Sequence, residues 1–272
     1  MKSCLAGGRR VRPANSAIRR ALAASLILML TTSLAVFAEA SSASASGICS
    51  SSGKFNDGYF YNPNAFPGYD FEGASGYIVV RDGNLCVPNS GPQNFTNAWV
   101  MIASDPSGNS GSGWSQVGFE RTAGYNLRWF AQHAGRVGNY FDITTRYSTF
   151  SVNNQVGVRH TFRVLWNYSC YCIRATIDTT NWLDSKFNPF VDTTWTRPFS
   201  PQFAGEAGYR ESDMPGLSSA RTAFSALGAQ RYSDDVLAPL PCIMSGANDN
   251  PARWGRLASS CEAFTIWTQV LS

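Results

Sequence analysis

Trp114-Ser115-Gln116-Val117-Gly118-Phe119 and Gln202-Phe203-Ala204-Gly205-Glu206-Ala207-Gly208-Tyr209 are the stretches on which the reading of the fold turns. Side chains of an extended chain alternate between two faces. That alternation puts Trp114, Gln116 and Gly118 on one face of the first stretch, and Ala204, Glu206 and Gly208 on one face of the second. The same period of two, with β-branched and aromatic enrichment, recurs at 77–81, 98–104, 127–133, 140–152, 158–178, 220–229 and 261–271. Turn-forming clusters separate these runs at 105–113, 133–139 and 152–157. No segment sustains an apolar stripe at 3.6 residues, and the best helix candidate is short, Asn181–Phe187. With eight Trp and 17 Phe to fill a core, the pattern predicts an all-β domain of two packed antiparallel sheets, with a closed barrel as the alternative.

Residues 1–40 read as a signal peptide: a basic segment with Arg9, Arg10, Arg12, Arg19 and Arg20, an apolar run from Ala21 to Phe37, then Ala38-Glu39-Ala40 as a cleavage pattern. A second cleavage point lies after Ala45, and Arg19-Arg20 leaves both the general and the twin-arginine export routes open. Six of the 22 Lys and Arg and one of the 18 Asp and Glu leave with this leader, so 16 basic and 17 acidic residues remain. A near-neutral domain has no basic stripe to grip nucleic acid or anionic lipid, and no stable membrane insertion is expected after cleavage. The Ser-, Gly- and Asn-rich stretch 41–64 reads as a flexible arm, and 65–272 as a single domain.

Loss of Cys4 leaves Cys49, Cys86, Cys170, Cys172, Cys242 and Cys261, an even count that in an exported chain implies disulfides. Cys49–Cys86 and Cys242–Cys261 are the expected pairs, each closing a moderate loop. Cys170 and Cys172, two apart on an expected strand, form either a tight ring or bridges to other strands. Zinc is the alternative for this C-x-C, but His133 and His160 lie far from it and no fourth ligand suggests itself. No metal and no cofactor is expected.

Among the candidate groups, Ser110 in Gly108–Gly113 lacks the context of a nucleophile turn and reads as a hairpin loop. His133, beside a Gly-rich turn, reads as exposed. Asp213 in Asp-Met-Pro-Gly reads as a turn residue, since a lone carboxylate supplies too few oxygens for calcium. Trp99, Trp114, Trp129, Trp166, Trp182 and Trp195 read first as core, with sugar stacking as the alternative. Gln116 and Glu206 each have small neighbours on their own face, as the floor of a cleft would. A carboxylate and a carboxamide facing each other could polarise a water and hold an oxyanion. From the residues alone, the reading of both as ordinary polar strand residues is preferred.

At these segments the chain resembles the glutamic peptidases, both the fungal eqolisin group and the plant neprosin-like group. Ala98-Trp99-Val100-Met101-Ile102 followed by Gln116-Val117-Gly118 is similar to the eqolisin A-W-V-x-I strand and its Q-x-G glutamine. Asn181-Trp182-Leu183 and Gly205-Glu206-Ala207 are similar to the neprosin N-W-W-L and G-G-E-V segments, with Ala204 in place of the first glycine. The resemblance implies a concanavalin-like jelly-roll sandwich and carries over Gln116 and Glu206 as the catalytic pair. It also implies a secreted, extracellular endopeptidase acting on polypeptide at acidic pH. The alternative is a non-catalytic, lectin-like binder of extracellular glycan, and a third reading is an envelope-associated structural protein.

Overall fold

In a computed structural model the protein is described over residues 48–62, 70–87, 91, 93–104, 113–137, 140–193, 195, 197, 199–242 and 244–269. The expected leader 1–40, most of the loop 105–113 including Ser110, and the second cleavage point lie outside the described residues. The described residues fall within one compact unit, Ser44–Ser272.

Sixteen strands are present among the described residues: β1 (Ser52–Tyr61), β2 (Phe71–Val79), β3 (Phe95–Ala103), β4 (Gly113–Thr122), β5 (Arg128–Val137), β6 (Tyr140–Tyr147), β7 (Arg159–Asn167), β8 (Cys172–Ile177), β9 (Thr180–Asp184), β10 (Ser200–Tyr209), β11 (Gly216–Leu217), β12 (Ala220–Arg231), β13 (Leu237–Pro239), β14 (Met244–Asn248), β15 (Trp254–Ser260) and β16 (Ala263–Thr268). They form two sheets. The first runs β14-β1-β10-β3-β4-β5-β6, and the second runs β15-β16-β11-β12-β2-β7-β8-β9 with β13 beside β12. Paired strands are antiparallel throughout except for a single parallel contact, Leu217 of β11 with Thr268 of β16. This is the all-β sandwich of two packed antiparallel sheets that the alternation predicts, in the jelly-roll class that the resemblance implies.

The core lies between the sheets. Ala98, Val100 and Ile102 of β3, Val117 and Phe119 of β4 and Phe203 of β10 pack in one cluster with Ala74 and Ile78 of β2, Phe162 and Val164 of β7 and Phe224 of β12. Each fully buried Val, Ile or Phe contributes about 1.5–3 kcal/mol of transfer free energy. That strong demand on one face fixes which residues of β3, β4 and β10 turn the other way. Trp99, Met101, Ala103, Trp114 and Ala204 form a separate cluster on that other face. Trp129, Trp166 and Trp195 join the main core, and Trp182 packs against it partly buried. The six tryptophans therefore divide, with Trp99 and Trp114 outside the core proper.

Three sequence expectations need correction. The stretch 41–64, expected as a flexible arm, contains β1, an internal strand that pairs with β10 on one side and β14 on the other. Composition hid it, because Asp57 occupies a core-facing position where an apolar residue is the rule. Asn181–Phe187, expected as a helix, holds β9, an edge strand paired only with β8. The long run 158–178 is two strands, β7 and β8, reversed by a turn in which Tyr171 has a φ of 51°.

All three disulfides are formed: Cys49–Cys86, Cys170–Cys172 and Cys242–Cys261. The middle pair is the tight ring, with Cys170 in the turn and Cys172 at the start of β8 rather than both in one strand. Cys49–Cys86 ties the chain just before β1 to the segment after β2.

Candidate active site

The face of the first sheet that turns away from the core is organised in rows by register. One row reads Asn56 (β1), Glu206 (β10), Asn97 (β3), Glu120 (β4) and Arg128 (β5). Two residues further along the strands, the next row reads Gly58, Ala204, Trp99, Gly118 and Phe130. The third reads Phe60, Gln202, Met101, Gln116 and Gln132. Gln116 and Glu206 thus share a face, as the alternation requires, but they are not on adjacent strands. β3 runs between them, and the offset along the strands is two rows. On a flat sheet this places their α-carbons on the order of 15 Å apart. Both residues nonetheless line a common hollow of about 240 Å³, together with Trp99, Met101, Lys54, Trp114 and Asp249 among others.

Gly118 plays a different part from the one its position suggests. A side chain there was expected to be missing in order to leave room over the sheet. A Cβ on Gly118 would instead lie 2.0 Å from the carbonyl oxygen of Ala98 and 2.9 Å from Cα of Trp99. Glycine permits β4 to press against β3, which sets Trp99 and Gln116 at their spacing.

Glu206 is almost fully buried, at 6% exposure. Trp99 Nε1 donates to its Oε2 at 3.3 Å, and the Asn97 side chain supplies a further hydrogen bond. Lys54 Nζ stands 4.0 Å from Oε1. Burial is the largest influence on its acidity and raises its pKa above the ordinary value. The Lys54 charge and the Trp99 and Asn97 bonds pull the other way, and the Glu120 charge adds to the rise. Glu120, one strand beyond Asn97, is differently placed: Arg128 Nη2 is 3.5 Å from it, and Thr122 Oγ1 donates to it at 2.5 Å. Between the two glutamates, Asn97 Oδ1 is buried without a partner.

Gln116 is held by its own strand face. Its Nε2 donates to Gln132 Oε1 at 3.1 Å, and Trp114 Nε1 donates to the same oxygen at 2.9 Å. Gln132 in turn donates to Thr145 Oγ1 at 2.9 Å. One amide hydrogen of Gln116 is thereby committed to the chain, which fixes the carboxamide plane and leaves its second N–H available. The arrangement can supply one poised proton acceptor, one fixed amide donor and an aromatic wall.

Other residues singled out in the sequence are placed elsewhere. His133, expected to be exposed, is fully buried, because β5 continues past it to Val137 and turns it toward the core. Its Nε2 is 3.2 Å from the Leu183 carbonyl, which can only accept, so Nδ1 accepts from Ser115 Oγ at 2.6 Å. Burial lowers its pKa to about 4. His160 meets Asp178 at 2.8 Å and Gln155 at 3.0 Å on the opposite sheet. Asp213 lies in the connection between β10 and β11, where it is buried and receives Arg253 at 2.6 Å and Asn84 at 2.8 Å, which anchor that segment. Lys54 and Asn56 line the hollow yet draw no attention in the sequence, since β1 itself is not read as a strand, and Asp249, which also lines it, follows β14. One group, Cys170, Cys172 and Asp184, has metal-ligand spacing among the described residues, but both sulfurs are spent in a disulfide and Asp184 is held by Arg174 at 2.7 Å.

No family model matches this chain, and no curated protein matches it in sequence. Solved structures do. Scytalido-glutamic peptidase bound to a transition state analog inhibitor superimposes with a TM-score of 0.53 at 13% identity, covering 80% of this chain and 100% of that one. SCP-B, a member of the eqolisin family of peptidases in complex with the tripeptide Ala-Ile-His, gives a TM-score of 0.48 at 12% identity over 80% of this chain and 100% of that one. A non-specific endo-beta-1,3(4)-glucanase gives 0.38 at 14% identity, over 55% of this chain and 54% of the other. At such identities the first of these establishes a shared fold with a glutamic peptidase.

Proposed function

We propose that this chain hydrolyses peptide bonds with Glu206 as proton acceptor and Gln116 as amide donor. The observation that carries the reading is the hollow itself, in which a buried carboxyl of raised pKa and a fixed carboxamide line one space on the outer face of the sheet. In the proposed step the Glu206 carboxylate takes a proton from a water whose oxygen attacks the peptide carbonyl carbon. The oxyanion of the tetrahedral intermediate accepts from the free N–H of Gln116 Nε2. The carbon–nitrogen bond then breaks, and the Glu206 carboxyl returns its proton to the departing amine. A raised pKa keeps that proton at hand in mildly acidic solution, so an acidic working range is expected. Neither a metal nor a cofactor enters the step.

The three disulfides support an oxidising, extracellular setting, with residues 1–40 as the export signal. No helix among the described residues is long and apolar enough to cross a membrane.

The test is digestion of denatured casein by the purified protein across acidic to neutral pH, alongside Glu206→Gln and Gln116→Ala. Cleavage by the wild type and its loss in both variants is the expected result. Full activity in either variant overturns the assigned role. A glycan-binding reading draws on Trp114, which packs at 5.5 Å on the half-exposed ring of Phe141 beside the hollow. Retention on an insoluble polysaccharide with no proteolysis would favour it.

A further inference from the structure

The hollow is bridged by a single side chain. Lys54 rises from β1 with its ammonium 4.0 Å from Glu206 Oε1 and 5.1 Å from the centre of the Trp114 ring, which belongs to β4 on the far side of β10 and β3. It is the one basic residue lining the hollow among the described residues, and its side chain is 65% exposed. The other groups around Glu206 are unlike it. From β3 come the neutral Asn97 and Trp99, and from β1 also Asn56. From β4 comes Glu120, whose charge is already engaged by Arg128 of β5. Beyond β14 comes Asp249, which accepts from the backbone N–H of Asn56 at 2.8 Å. Every nearby charge except Lys54 is negative or already paired. A buried carboxylate without a cation is costly, and an ammonium at this distance is its available counter-ion.

We propose that Lys54 is a positioning residue for the Glu206 site, its ammonium acting as the counter-ion that decides when Glu206 carries its charge and resting over the Trp114 ring as a strap across the groove. This rests on the role given to Glu206 above. The cation–aromatic contact fixes where the charge sits, and exposure leaves the strap free to swing aside when substrate enters. Because the pair reaches open solvent, salt weakens it.

The experiment reads Glu206 directly, so that it does not depend on activity. The sequence contains only six glutamates, which makes the carboxyl NMR signals of isotope-labelled glutamate separable, and the signal lost in Glu206→Gln identifies the one of interest. The Glu206 titration midpoint is expected to move to higher pH in Lys54→Met, to stay near the wild-type position in Lys54→Arg, and to rise with added salt in the wild type. Where proteolysis is observed, the acid-side limb of kcat/KM moves up with it in Lys54→Met and not in Lys54→Arg. A midpoint that is the same in Lys54→Met and wild type overturns the proposal, whatever the casein assay shows. A shifted midpoint without any proteolysis upholds the Lys54 role and removes the peptidase reading.

Discussion

Glu206 and His133 are both buried ionisable groups on strands of the same sheet, and they are buried in opposite ways. His133 faces the core with both ring nitrogens engaged, by Ser115 and by the Leu183 carbonyl. Glu206 faces away from the core and lines a hollow, with Trp99 on one oxygen and the exposed Lys54 beside the other. Burial displaces the acidity of each toward its neutral form, down to about 4 for the histidine and upward for the glutamate. A displaced pKa therefore does not by itself mark a site. What separates the two is that the hydrogen-bonding capacity of the histidine is used up inside the protein, whereas that of the glutamate is directed at a space.

Four measurements press on this contrast. The largest expected effect is that of Glu206→Gln, which should cut cleavage of denatured casein by on the order of 10²–10⁴-fold. Its urea-unfolding midpoint should not fall, because a neutral isostere removes a buried charge. A loss of stability without loss of cleavage would place Glu206 in the same class as His133. Next is the pH dependence contributed by His133. Its folded pKa of about 4 lies below the ordinary 6.5, so the unfolded chain binds the extra proton in that window. Its contribution is full above the ordinary value and is lost as pH falls through the folded one, with a size on the order of 3 kcal/mol. Urea unfolding of wild type and His133→Gln across acidic pH should show a gap that opens as pH rises and is flat above neutrality. Gln116→Ala should reduce kcat on the order of 10²-fold with an unchanged melting curve. Smallest is Ser115→Ala, which leaves His133 Nδ1 without its donor and should cost about 1–2 kcal/mol in urea unfolding, with activity per folded molecule intact.

The strands whose two faces differ plainly were legible. In β4 and β10 large apolar groups alternate with small or polar ones, so the face assignment of Gln116 and Glu206 followed from period alone. Register did not, because alternation fixes a face and says nothing of how far one strand slides past its neighbour. The row that joins Glu206, Asn97 and Glu120, and the two-row offset of Gln116, could be known only from pairing. β1 was missed for a physical reason. One of its faces lines a hollow with Lys54, Asn56 and Gly58, and the other, with Phe55, Tyr59 and Tyr61, is interrupted by the buried Asp57, near Arg256 Nη1 at 3.5 Å, so the apolar alternation is broken midway. His133 was misplaced because Gly135 suggested a turn where β5 in fact continues.

The internal position of β1 also bears on when the groove comes into being. Its partners are β10 and β14, and β14 is complete only at Asn248. A growing chain carries Lys54 and Asn56 early but has nothing to set them against until β10 is complete at Tyr209, and the second partner follows only with β14. The rim that β14 and Asp249 add is thus the last part of the groove to be made, after the strands that carry Gln116 and Glu206.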